Sequence, residues 1–428
     1  MNETRRIRRD FWQNITITLL SLSAVVLFAR TQLYDRALPS YLQPFHESST
    51  IASSVISSQD AILTAPVRVA VSGPYGRYGS VTLTTSTTAE EFSPLGTLLG
   101  EALSSAQMYT PCQEQDFFTA LSSPSVYYDF LHPLPLSILA GMVNAQGEEA
   151  LQVRHLVITS PGAAQVLLYL LDSTGEYLCC TTALTPQELE HIIGGFEQGN
   201  AMFAYDAHSR YGEDAKALYP LSLFLPDAPP VLPELTADPS ISSADQILSS
   251  LEFNPHTNYR WTESSGTQVI TDGDRMLRIR TDGTLRYQSG GSDTLSIESK
   301  NALPSLWEAA NGVSSLLAGL LPPSAQAQLY LKEISRTGRE TRLVFDYQYN
   351  GVPIRFSSGE SAAEVILSDA SVSSLRFTFR SYTASDSPAS LLPLRQAMAI
   401  AAKKTEAELM IGYADRGQAQ VLPQWLSE

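Results

Sequence analysis

The chain of 428 residues is 43% hydrophobic and carries a formal net charge of −16 at pH 7. That acidity argues against nucleic acid, and against a polyanionic wall polymer, as a simple electrostatic partner. Three cysteines in a chain this long exclude a disulfide-built scaffold.

The first ten residues form a basic tail with Arg5, Arg6, Arg8 and Arg9. Residues 11–29, FWQNITITLLSLSAVVLFA, then run without a charge between Asp10 and Arg30. About 20 apolar residues span a bilayer core of about 30 Å, and arginine-rich flanks stay on the cytoplasmic side. The expectation is a single-pass protein of the cell membrane, with the tail (1–10) cytoplasmic and the bulk of the chain extracytoplasmic. Trp12 and Tyr34 suit anchoring at the two interfaces. A cleaved signal peptide would need a small-x-small site, and Leu27 and Asp35 spoil the sites ending at Ala29 and Ala37. No cysteine near the end of the apolar stretch supports a lipoprotein.

A ten-residue tail is too short to fold a domain, which leaves the helix as the covalent route inward. Asn14, Thr18, Ser21 and Ala24 recur at spacings of four, three and three along one face. Small and hydrogen-bonding residues in such a stripe favour helix–helix contact in lipid, at about 0.5–2 kcal/mol per polar contact. The competing reading has Thr18 and Ser21 bonding their own backbone and Asn14 lying at the interface.

Residues 30–60, including the serine-rich HESSTIASSVISS, read as a stalk. Residues 61–218 read as an N-terminal mixed α/β domain. It opens with PVRVAVSG and GSVTLTTST as strands and FSPLGTLLGEALSSA as a helix, with Ser93 and Pro94 as N-cap and first-turn proline. LQVRHLVITS, AAQVLLYLLD and GEYLCCTTAL follow as strands, the last two joined by a turn at Ser173–Gly175. Adjacent Cys179 and Cys180 then face opposite sides, and a bridge from Cys112 to either one stands beside buried free thiols as an alternative. TPQELEHIIGGFE is a helix with Thr185 and Glu188 at capping-box spacing.

Six prolines between Tyr219 and Ser240 mark residues 219–244 as an interdomain linker. Residues 245–428 read as an α+β domain. Three short strands in TQVITDGDRMLRIRTDGTLRYQS turn at Asp272-Gly273 and Asp282-Gly283, and a second meander turns at Asn350-Gly351. SLWEAANGVSSLLAGLL and LLPLRQAMAIAAKKTEAEL are the helices, AAEVILSDASVSSLRFTFRSY gives two strands, and IGYADRGQAQVLPQW closes as a hairpin. The fold class is therefore α+β behind one membrane helix.

Catalytic signatures are missing. There is no G-x-S-x-G, no H-E-x-x-H, and none of the five lysines follows a serine by three residues. The nearest ligand cluster is YDAHSRYGED, with Asp206, His208, Glu213 and Asp214 in what reads as a solvated polar turn. His191 pairs with Glu188 on a helix face, and His46, His132, His155 and His256 stand alone. No metal, cofactor or catalytic residue is expected.

The segments DRMLRIRTDGTLRYQS and FDYQYNGVPIRF, and the terminal GYADRGQAQVLPQW with its P-x-W ending, resemble the YycH/YycI group, single-pass accessory proteins of the cell-wall two-component system of Firmicutes. The resemblance extends to the layout of nearly the whole chain and makes it similar to a divergent YycH-like member. It implies a non-catalytic regulator whose membrane helix contacts a WalK-type sensor histidine kinase and whose external domains pair with a YycI-like companion. Two other classes stand beside it: a tethered envelope hydrolase or peptidase with a site assembled from distant residues, and a scaffold for wall-synthesis machinery.

Overall fold

Strand-forming runs with turn glycines dominate this chain, and antiparallel sheets result. The computed structural model describes residues 66–428 apart from 75, 83–88, 107, 142–144, 146, 197–198, 200, 226–230, 242–243, 255, 257, 291–294, 300, 323, 405 and 428. The tail, the expected membrane helix 11–29 and the stalk lie outside the described residues. Among those described, no helix is long and apolar enough to cross a membrane.

The N-terminal sheet has seven strands, all paired antiparallel. Arg68–Gly73, Ser125–Pro135, Gln152–Thr159 and Leu167–Asp172 lie side by side at its centre. Hairpins, short returns and one long helix-bearing connection from Gly73 to Ser125 join these antiparallel strands, so the part expected as α/β is α+β. The turn at Asp172–Gly175 places Gly175 at φ +87°, where glycine avoids a Cβ clash. Thr185 and Glu188 form the expected capping box on helix Pro186–Gly194. Helix Ala89–Ser105 begins ahead of Ser93, so Pro94 sits inside it and removes one backbone bond instead of starting the helix.

The C-terminal sheet has eleven strands. Gln268–Asp272, Arg275–Ile279 and Thr284–Ser289 form the first expected meander, and Glu340–Tyr349 and Val352–Phe356 the hairpin around Asn350-Gly351. The parallel pair Val352–Phe356 with Leu409–Asp415 interrupts an otherwise antiparallel ladder. Helix Leu306–Leu320 is capped by Ser305 and Glu308 and buries Leu306, Val313 and Leu317 in the main core. The helix expected over LLPLRQAMAIAAKKTEAEL covers only Leu394–Ala401, because Leu409 onward is drawn into the sheet as a strand.

Within the proline-rich segment, Leu232–Asp238 is a strand pairing with Ser381–Ala389 on one side and Gln420–Val421 on the other. Pro233 is accommodated at a register shift, where the ladder does not need its missing N–H. YDAHSRYGED, expected as a turn, forms helices Ala204–Tyr211 and Glu213–Lys216, whose buried Ala204, Ala207 and Ala215 face Leu218 and Met398.

One continuous apolar core joins both sheets, from Val69 and Leu156 to Leu343 and Phe377. At the seam, Gly141 at the end of helix Leu136–Gly141 meets Trp307. A Cβ on Gly141 would lie 2.7 Å from Trp307 Cβ.

Candidate functional site

A charge inside an apolar strand must be neutralised, and this chain places several at one junction. Strand Ser125–Pro135 carries a bulge between Asp129 and Leu134, with Leu131 at φ +69°. Asp129 Oδ1 accepts the Leu131 N–H at 2.8 Å, which holds the kink. The kink turns Asp129 and His132 toward residues of the C-terminal half.

Asp129 is 1% exposed. Its Oδ1 accepts from Arg154 Nε at 2.9 Å, and Oδ2 accepts from Arg68. Glu408, just ahead of strand Leu409–Asp415, closes the ring. Arg154 donates to it from Nη1 and Nη2, both at 2.6 Å, and Arg68 Nη2 donates at 3.0 Å. Two guanidinium groups and two carboxylates thus cancel in charge, leaving Arg68 Nε buried with no acceptor among the described residues. Burial alone would raise the carboxyl pKa values, but Arg154 and Arg68 outweigh it and hold Asp129 well below the usual carboxylate range. Glu408 is lowered by the same opposition of burial and arginines.

His155, the neighbour of Arg154 in sequence, has Nδ1 3.8 Å from Asp129 Oδ1 and lies between two phenols. Tyr127 Oη is 2.7 Å from Nδ1 and Tyr219 Oη is 3.2 Å from Nε2. Burial first, then the Arg154 charge, depress its pKa to about 3, so the imidazole is neutral. His132 is depressed to about 2 by burial and by Arg355. Arg355 bridges the junction a second time, donating from Nη2 to His132 Nε2 at 2.9 Å and from Nη1 to Asp346 Oδ2 at 2.7 Å. Lys332 Nζ joins Asp346 at 3.0 Å, and the Tyr330 ring stacks on His132.

A fourth carboxylate, Asp415, accepts from Arg380 Nη2 at 3.0 Å, Tyr382 Oη at 2.8 Å and Gly417 N at 2.7 Å. It borders an open depression of about 360 Å³ shared with Asp282, Glu360, Arg380 and Arg416. Its opposed charges give no single ligand chemistry.

Chemically the junction is a joint. Its acids and bases are spent on one another and its histidines are locked neutral. Among the described residues, no group of three or more His, Cys, Asp or Glu is placed to hold a metal ion. The YDAHSRYGED residues lie on two helices, apart from the junction network.

Asn14, Thr18, Ser21 and Ala24, like Arg5, Arg6, Arg8, Arg9, Trp12 and Tyr34, lie outside the described residues. None of the junction residues was singled out from sequence as a site. The available signal was a lone charge in an apolar strand: Asp129 in SVYYDFLHPLP and Arg154 in QVRHLVIT. Among known proteins, no family model matches the chain, and neither a curated protein nor a solved structure is significantly similar to it.

Proposed function

We propose that this chain is a non-catalytic, membrane-anchored extracytoplasmic accessory protein that modulates a cell-envelope sensor histidine kinase. Segment 11–29 contacts the kinase's membrane helices through Asn14, Thr18, Ser21 and Ala24, while the external part pairs with a YycI-like companion. The observation that carries this reading is the Arg68–Asp129–Arg154–Glu408 ring. Four charges that could serve chemistry instead bolt two sheets together, which supports a stiff body that passes on contacts. Binding biases a two-state kinase only through unequal affinity for its states, and about 1.4 kcal/mol of difference shifts the ratio tenfold.

The test is co-purification of the full-length protein from native membranes after mild crosslinking, with a version carrying an unrelated membrane helix as control. Recovery of a histidine kinase that depends on the native helix is the expected result. Recovery of no kinase, or of wall-synthesis enzymes whichever helix is present, overturns the reading. Replacing Asn14, Thr18 and Ser21 together with leucine is expected to preserve insertion and weaken the association.

A further inference from the structure

The outer face of the eleven-stranded sheet changes character along its width. Near the junction it carries the buried Asp346. Further along, the same face is open, and Arg278, Arg286 and Arg376 stand directly opposite one another on three neighbouring strands, Arg275–Ile279, Thr284–Ser289 and Ser371–Thr378. Neighbouring strands are about 4.8 Å apart, and like charges at opposed positions destabilise a sheet. Nearby carboxylates relieve this only loosely: Arg278 reaches Glu263 at 3.6 Å, and Arg376 reaches Glu360 at 3.7 Å and Glu364 at 3.8 Å. Arg286, exposed in the middle, has no ion pair or hydrogen bond among the described residues.

The row continues past Arg278 through Val269, which is covered, to Trp261 on the edge strand Tyr259–Thr262. Tyr259 is 76% and Trp261 47% exposed, and both point to the arginine face. Among the described residues this strand pairs on one side only. Trp, Tyr and Arg are the residues that dominate binding energy where proteins meet.

We propose that this face docks an acidic helical segment of a partner protein, laid across the strands with carboxylates over Arg278, Arg286 and Arg376 and an apolar side chain against Trp261. Charge complementarity selects the occupant. Acidic residues three and four apart on a helix rise about 4.5–6 Å, which matches the strand spacing, and about 13 residues cover the roughly 19 Å from Trp261 to Arg376. A short acidic segment feels mainly the local row, since screening at physiological salt acts over about 8 Å. A long polyphosphate would extend over the rest of a surface whose chain carries −16. This docking is independent of the kinase contact, so either can fail alone.

The experiment uses the full-length protein in discs of neutral lipid and a labelled helical peptide of about 14 residues with glutamates three and four apart and a leucine at one end. Fluorescence anisotropy is compared with the same peptide bearing glutamines, and with poly(glycerol phosphate) as competitor. Binding of the glutamate peptide only, weakened at least tenfold by Arg286→Glu and several-fold by Arg286→Gln and Trp261→Ala, is the expected result. Arg286→Glu places a carboxylate between two arginines, so its melting temperature should hold or rise while binding is lost. Equal binding of both peptides, binding of neither, binding unchanged in both Arg286 variants, or binding of the polymer in place of the peptide each overturns the proposal.

Discussion

Arg154 and Glu408 form a two-point ion pair across 254 positions of sequence, with both N–O distances at 2.6 Å. The pair ties strand Gln152–Thr159 of one sheet to the start of strand Leu409–Asp415 of the other. Both side chains are largely buried, so removing one partner strands a charge. Arg154→Ala leaves two carboxylates facing Arg68 alone, and a cost of about 3–5 kcal/mol is expected. Glu408→Gln keeps the shape and should cost less. The urea midpoint of the full-length protein checks the order.

The two neutral histidines make stability fall on mild acidification. Unfolded, His132 and His155 take up protons near 6.5; folded, they do so only at about 2 and about 3. The unfolded state therefore binds more protons below pH 6.5, and each imidazole removes about 1.4 kcal/mol per pH unit over that window. Above 6.5 neither contributes a slope. Asp129 and Glu408, depressed in the fold, add stability that is present above their unfolded values and lost as pH falls through their folded ones. Melting temperature should thus begin to drop below pH 6.5, ahead of carboxylate titration. His155→Gln, which retains polar contacts to Tyr127 and Tyr219, should have about half the slope between pH 6 and 5, and a slope equal to that of the unaltered protein would rule this out.

Gly141 allows helix Leu136–Gly141 to approach Trp307. Gly141→Ala should destabilise by about 1–3 kcal/mol through overpacking. Gly194→Ala, also in a helix but with nothing within 4 Å of its Cβ, should be neutral or stabilising by up to about 1 kcal/mol. Thermal melts of the two variants should move in opposite directions or leave only the first displaced.

Cys112 and Cys179 pack against the same apolar cluster, and burial, then Cys179, push the Cys112 thiol up to about 12. Among the described residues no disulfide forms. Cys180 lies on the opposite, core-facing side of strand Tyr177–Thr181. Diamide treatment should link Cys112 to Cys179 and not to Cys180, read by mass spectrometry of peptides. At neutral pH the protonated Cys112 should alkylate slowly.

The elements legible in the sequence were those whose signal is local. Asp272-Gly273, Asn350-Gly351 and the box at Thr185/Glu188 each act within a few residues, and each stands where expected. Leu232–Asp238 was hidden among prolines because its strand character comes from Ser381–Ala389 and Gln420–Val421, far along the chain. The helix expected to run toward Leu409 stops at Ala401, since the following residues gain more from the sheet and from the two arginines awaiting Glu408. The junction was not legible as a site for the same reason. Arg68, Asp129, Arg154 and Glu408 are ordinary charges until folding brings them together.

Glu408 and strand Gln420–Val421 both complete structures begun much earlier in the chain. Until they arrive, Arg68 and Arg154 share one carboxylate and Leu232–Asp238 lacks one of its neighbours. The two sheets therefore cannot close one after the other in chain order. Closure waits on residues 408–421, and a chain cut ahead of Glu408 would leave the early half without its seal.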